Sequence, residues 1–166
     1  MSAPNPIQPC GQSHQDCRNK DAIEALLERA RQSGLRRTRA LRDVVHILAE
    51  AGRPLTLADV AASRRLESRA DPATVYRLLT KLEQKGLLRR LGLHQRAASY
   101  VMAFPGSHQD YLICTRCGSI EPLDIRCPVE SLESLIAEQS GYSGLYHELE
   151  FFGLCPRCQA IQHPAS

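Results

Sequence analysis

Two cysteine pairs dominate the chemistry available to this 166-residue sequence. Cys114-Thr115-Arg116-Cys117 and Cys155-Pro156-Arg157-Cys158 are both CxxC, a spacing at which two thiolates meet one tetrahedral ion. Two such pairs complete a four-cysteine shell with no open position, so a structural Zn2+ is the expected cofactor. The competing use of CxxC, a redox dithiol, needs one pair in a thioredoxin-like βαβ setting, which is not found here. Seven cysteines are an odd number, which disfavours a disulfide scaffold and favours reduced thiolates in a cytoplasmic protein.

A softer donor set lies close by. His108 and Asp110 are two positions apart and share a face if they stand on one strand. Glu130 begins an expected helix, and His147 lies on an expected strand ahead of Cys155. Two imidazoles and two carboxylates make a shell that accepts Zn2+, Fe2+ or Mn2+. Spacing alone also leaves open the bland reading of solvated surface side chains. His94, Glu121 and Cys127 offer another combination, although a loop histidine, a surface glutamate and a buried thiol account for them equally. Cys10, His14 and Cys17 fall in a polar tail and read as incidental.

The elements that must position these groups follow from hydrophobic spacing and capping signals. A helix is expected over Asp21–Ser33, a second from Thr38 to before Gly52, and a short third from Thr56. The fourth carries the clearest signals: Asp71 as cap, Pro72 at the first helical position, and Gly86 after the end. Its Val75, Leu78, Leu79 and Leu82 form one apolar stripe, leaving Thr74, Tyr76, Arg77 and Lys81 for other work. Leu87–Leu91 and Ala98–Ala103 read as a hairpin whose loop contains His94 and Arg96. Helices followed by such a hairpin describe a winged helix-turn-helix, with the fourth helix suited to a major groove. Beyond Phe104 come expected strands at Tyr111–Cys114, around Ile120 and at Leu145–Phe152, and a helix at Val129–Gln139. The fold class is therefore α+β. The expected organisation is a tail at 1–20, a winged-helix DNA-binding domain at 21–103, a hinge at 104–107, a metal-binding α/β domain at 108–160 and a tail at 161–166.

Charge divides along the same boundary. Residues 1–105 carry 18 Lys/Arg against 10 Asp/Glu, whereas residues 106–166 carry 3 against 8. A basic, arginine-rich half suits a polyanion partner, and the acidic half suits another role. No run of about 18 apolar residues exists, so no membrane partner is expected. Met1 to Ser13 is proline-rich without an apolar segment, so a secretory leader is not expected either.

Three stretches taken together resemble the ferric uptake regulator (Fur) superfamily, from about Ala22 to Cys158: Ala73-Thr-Val-Tyr-Arg-Leu-Leu, His108-Gln-Asp-Tyr-Leu-Ile-Cys-Thr-Arg-Cys-Gly, and His147 with Gly153-Leu-Cys-Pro-Arg-Cys158. The resemblance implies a homodimeric, metal-responsive transcriptional repressor that binds a pseudo-palindromic double-stranded DNA operator. It implies base and phosphate contacts from Tyr76 and Arg77, with Thr74 and Lys81 on the same helix. It assigns structural zinc to Cys114, Cys117, Cys155 and Cys158, and a further metal to His108, Asp110, Glu130 and His147. The family's usual hinge sensor is largely missing: Pro54 or Leu55, Val101 and His108-Gln109-Asp110-Tyr111 stand at its positions, and Ala103 replaces the cysteine of the zinc-sensing branch. Zinc, iron, manganese and peroxide-linked sensing stay open, with a lean to zinc uptake regulation. Two rivals differ in class. A metalloenzyme built on the His/Asp/Glu cluster finds no nucleophile elbow, phosphate loop or HExxH motif, so an enzyme is not expected. A zinc-ribbon interaction module would hold one tight metal and bind its partner regardless of other ions.

Overall fold

The computed structural model describes residues 20–66, 70–92, 97–104, 109–123, 125 and 127–162. The expected hinge residues at 105–107, the wing-loop residues His94 and Arg96, the tail residues Cys10, His14 and Cys17, and His108 lie outside them. Helices α1 (Lys20–Gln32) and α2 (Arg39–Ala51) precede a two-residue strand, β1 (Leu55–Thr56), and helix α3 (Leu57–Ala61). A single 3-10 turn (Arg64–Leu66) leads to α4 (Pro72–Gln84), then β2 (Leu88–Leu91) and β3 (Ser99–Met102).

Local chemistry sets these boundaries. Thr38 Oγ1 accepts from the Leu41 amide at 3.1 Å and starts α2, and Gly52, at φ +62°, ends it where an L side chain would be strained. Thr56 and Asp59 cap each other reciprocally, fixing the start of α3. Asp71 Oδ1 accepts from the Thr74 amide at 2.6 Å ahead of Pro72, as the sequence requires. Helix α1 begins at Lys20, one residue ahead of the expected start, which puts Asp21 in its first turn. Val75, Leu79 and Leu82 of α4 are fully enclosed with Leu26, Leu27, Val44, Val45 and Val60, while Leu78 packs at the edge. Burying each such side chain contributes about 1.5–3 kcal/mol, so this seam holds α4 firmly with its other face outward.

The hairpin is one strand richer than expected. The sheet order is β1-β3-β2, with Leu55 opposite Tyr100 and Thr56 opposite Ser99. Two residues are too few for alternation to register, so β1 is visible only through its pairing.

The second sheet has order β5-β4-β6, built from β4 (Tyr111–Cys114), β5 (Ile120–Pro122) and β6 (Glu150–Gly153). Helix α5 (Glu130–Ser140) forms part of the crossover that returns β6 parallel to β4, and α6 (Pro156–Gln162) closes the described chain. Strand β6 is shorter than the expected Leu145–Phe152 for a local reason. The Leu149 amide donates to Asp110 Oδ1 at 3.3 Å, and the Leu149 carbonyl accepts from the Tyr111 amide and from Arg89. The Leu149 carbonyl thus makes the first bond of the parallel ladder, while its amide turns to the Asp110 side chain, and the regular strand begins at Glu150. Helix α6 was not expected; Pro156 at its first position is the signal that marks it. Among the described residues no helix is long and apolar enough to cross a membrane.

Candidate metal centres and nucleic-acid interface

Strand pairing brings the two CxxC segments together. Cys114 ends β4 opposite Gly153 of β6, so the chain leaving β6 delivers Cys155 beside it. The Gly118 amide donates to the Cys114 carbonyl at 2.9 Å and folds Cys117 back over the strand end. The first turn of α6 presents Cys158, whose carbonyl accepts from Arg116 at 3.1 Å. All four sulfurs lie within 4.8 Å of one another, and Cys117 and Cys155 are 3.8 Å apart. A tetrahedral Zn–S shell with bonds of about 2.3 Å has sulfur–sulfur edges of roughly 3.8 Å, so the donor set fits zinc in chemistry and in size.

The electrostatics favour thiolate at Cys114 and Cys117. The amides of Cys117 and Cys155 point at Cys114 and bring it down to about 5, the second donating at 3.3 Å. The Ser119 hydroxyl and amide lower Cys117 to about 7, whereas burial pushes Cys158 up to about 12. Four thiolates cannot share so small a space without a counter-charge, and a divalent cation supplies it.

A second cluster joins residues that are far apart in sequence. Asp110, Cys127 and His147 each offer a donor atom within 4.8 Å of the others. Asp110 and Cys127 are buried, and the His147 side chain is 12% exposed. His147 Nε2 stands 3.1 Å from Cys127 Sγ, and its Nδ1 stands 2.8 Å from Glu133 Oε1 on α5. A carboxylate only accepts, so Nδ1 carries a proton, and in the neutral imidazole Nε2 turns its lone pair toward Cys127. Of the sequence-derived set, Asp110 and His147 therefore meet. His108 lies outside the described residues, as does the side chain of Glu130. Glu121 is exposed on β5, opposite Leu112. Sequence reasoning missed Glu133, although its place one turn after Glu130 put it on the same helix face.

Arg89 was also missed. It leaves β2 with its side chain 10% exposed and donates to the carbonyls of Gln109, at 2.8 Å, and Leu149, at 3.4 Å. It pairs with Glu148 at 3.3 Å and Glu150 at 3.8 Å, and its guanidinium lies 5.3 Å from the centre of the Tyr111 ring. Gln109 and Leu149 adjoin Asp110 and the His147 segment, so one cation of the N-terminal sheet grips the backbone around the second donor cluster.

On α4, Tyr76, Arg77 and Lys81 are exposed and Thr74 is half-buried. Tyr76 is 54% exposed although its neighbour Val75 is completely enclosed. The Arg77 guanidinium donates to Thr74 Oγ1 at 3.1 Å, which steadies it on the solvent face. A helix buried along one side and presenting an aromatic group and two cations on the other has the form of a groove reader.

Comparison with known proteins agrees with this architecture. The sequence profile of the Ferric uptake regulator family matches residues 32–152. A ferric uptake regulation protein of Legionella pneumophila is 31% identical over 80% of this chain and 97% of its own length. One from Neisseria meningitidis is 38% identical over 53% of this chain, and the match spans only 60% of that relative. The solved Helicobacter pylori ferric uptake regulator Fur, described as having three functional metal-binding sites, superposes with a TM-score of 0.64 at 25% identity, covering 82% of this chain and 93% of that one.

Proposed function

Starting from the fact that this chain belongs to the ferric uptake regulator family, we propose that it is a homodimeric, metal-dependent transcriptional repressor governing metal-ion homeostasis in the cytoplasm. Cys114, Cys117, Cys155 and Cys158 hold structural Zn2+. A second divalent ion, read as Zn2+ ahead of Fe2+ or Mn2+, is sensed at a site that includes Asp110 and His147, with His108 and Glu130 as its other ligands. Thr74, Tyr76, Arg77 and Lys81 face double-stranded operator DNA. Dimer symmetry implies a pseudo-palindromic operator with half-sites one helical turn apart, about 34–36 Å, or multiples of it.

The observation that carries this reading is the Arg89 grip. A sensor must tie the ion's presence to the attitude of the DNA-reading helix, and Arg89 joins β2, which follows α4, to backbone beside Asp110 and His147. An ion that draws Asp110 and His147 together orders the carbonyls that Arg89 holds, and so biases how the winged helix sits. If the ion favours the DNA-competent arrangement about 100-fold, the coupling is about 2.7 kcal/mol, and operator DNA tightens the ion by the same factor.

The test is operator affinity measured against free metal, on protein whose four-cysteine site is zinc-filled. The second ion should tighten binding about 100-fold. Arg77→Ala should weaken it by about 1–3 kcal/mol at every metal level. Metal-independent affinity in the parent protein, or an unchanged Arg77→Ala variant, refutes the assignment. Arg89→Met should leave metal binding in place yet shrink the metal-linked gain below about tenfold. Full coupling in that variant would show that the signal does not pass through Arg89.

A further inference from the structure

Cys127 stands outside the ligand set that the family resemblance assigns, yet its thiol is hydrogen-bonded to Nε2 of His147, the nitrogen that Glu133 leaves available for a metal. Its sulfur is 3.1 Å from His147 Nε2 and is buried beside Asp110. The Val129 amide donates to that sulfur at 3.4 Å, the same device by which the Cys155 amide supports Cys114 in the four-cysteine centre. Glu133 locks the imidazole tautomer from the far side at 2.8 Å, the arrangement by which an outer carboxylate orients and strengthens a ligating histidine. An isolated core thiol needs neither a fixed imidazole lone pair nor a carboxylate as neighbours.

We propose that Cys127 is a thiolate ligand of the second metal site, together with His147 Nε2 and an Asp110 carboxylate oxygen, and that this site takes zinc-class ions in preference to Fe2+ or Mn2+. The proposal rests on the reading of Asp110 and His147 as a sensory site and puts Cys127 in the place the resemblance gives to Glu130, an exchange that keeps the shell four-coordinate and sets its selectivity. Thiolate shifts a site toward Zn2+, whereas an all-carboxylate and imidazole shell accepts iron and manganese readily. In a tetrahedral site with Zn–S of about 2.3 Å and Zn–N of about 2.0–2.1 Å, sulfur and nitrogen stand roughly 3.6 Å apart. The present 3.1 Å is a thiol–imidazole hydrogen bond, so the ion has to open the pair by about half an ångström. On binding, the thiol proton leaves to solvent and the sulfur lone pair and His147 Nε2 turn to the metal.

Co2+ reports thiolate ligation directly. Full-length protein holding one zinc per chain in its four-cysteine site is titrated with Co2+, and zinc content is checked afterward to show that none was displaced. The expected result is an intense near-ultraviolet sulfur-to-cobalt charge-transfer band with tetrahedral visible transitions. Cys127→Ser should lose the band, and Cys10→Ser/Cys17→Ser should keep it. Glu133→Gln should keep it while weakening Zn2+ by about 10- to 100-fold. Co2+ that binds through His147 without a charge-transfer band in the parent protein overturns Cys127 as ligand and leaves the sensory reading standing. Co2+ that fails to bind, or binds equally to His147→Ala, overturns both. The parent spectrum decides even if Cys127→Ser does not fold.

Discussion

Cys155→Ser is expected to unfold the C-terminal sheet while the winged-helix half stays folded. The reason lies in how unequally the two halves bury apolar surface. The N-terminal half encloses a continuous core from Ile23 to Met102, with Leu26, Val44, Val45, Val60, Val75, Leu79 and Leu82 almost completely shielded. Among the described residues beyond 109, the buried hydrophobic side chains are Tyr111, Ile113, Cys114, Cys127 and Cys158, two of them thiols of the four-cysteine centre. A unit that small needs a staple, and a structural Zn2+ binds with an apparent 10–16 kcal/mol against a typical total stability of about 5–15 kcal/mol. Removing one thiolate opens the shell and leaves three thiol groups crowded at a strand end. Zinc content should fall by about one ion per chain, and amide-exchange protection should be lost across Tyr111–Cys114 but kept across α2 and α4. A zinc-free variant with β4 still protected would refute the structural role.

Leu135→Glu is expected to split the dimer and cost operator affinity about 100- to 10,000-fold, the avidity lost when two linked half-site contacts become independent. Among the described residues, every exposed large apolar or aromatic side chain except Tyr76 lies at position 112 or later. On α5 the stripe Leu132, Leu135 and Ile136 is 42–48% exposed, and Leu112 and Phe151, opposite each other across β4 and β6, are 43% and 42% exposed. A folded chain seldom leaves this much apolar surface to water, and the acidic half of the molecule concentrates it on one small domain. A second copy of the chain is the proposed cover, and Leu135 lies in the middle of the stripe. Sedimentation should give a monomer whose metal content is unchanged. A dimer that persists with full operator affinity would move the seam away from α5.

The four-cysteine cluster and the boundaries and buried face of α4 were legible from local sequence. CxxC brings two sulfurs to one ion whatever surrounds them, and Asp71-Pro72 with the Val75–Leu82 stripe determines where α4 starts and which face it buries. Arginine enrichment before residue 105 likewise set the two halves apart, because net charge needs no three-dimensional information.

The second donor cluster depended on long-range register. His147 meets Cys127 and Glu133 only because the crossover through α5 returns the chain parallel to β4, and periodicity says nothing about which loop then lies beneath which histidine. Leu149 illustrates the same limit. Its apolar neighbours signalled a strand from 145, but its amide is held by the Asp110 carboxylate and its carbonyl accepts the first ladder bond from Tyr111, so the regular strand starts at Glu150. Arg89 itself read as one more cation in a basic strand, and its role arose from two carbonyls 20 and 60 residues away. Local sequence thus determined capping, helix faces and the paired thiolates, since those interactions join near neighbours along the chain. Tertiary structure decided which buried polar groups satisfy one another, because a desolvated donor must find its acceptor wherever the chain has brought one.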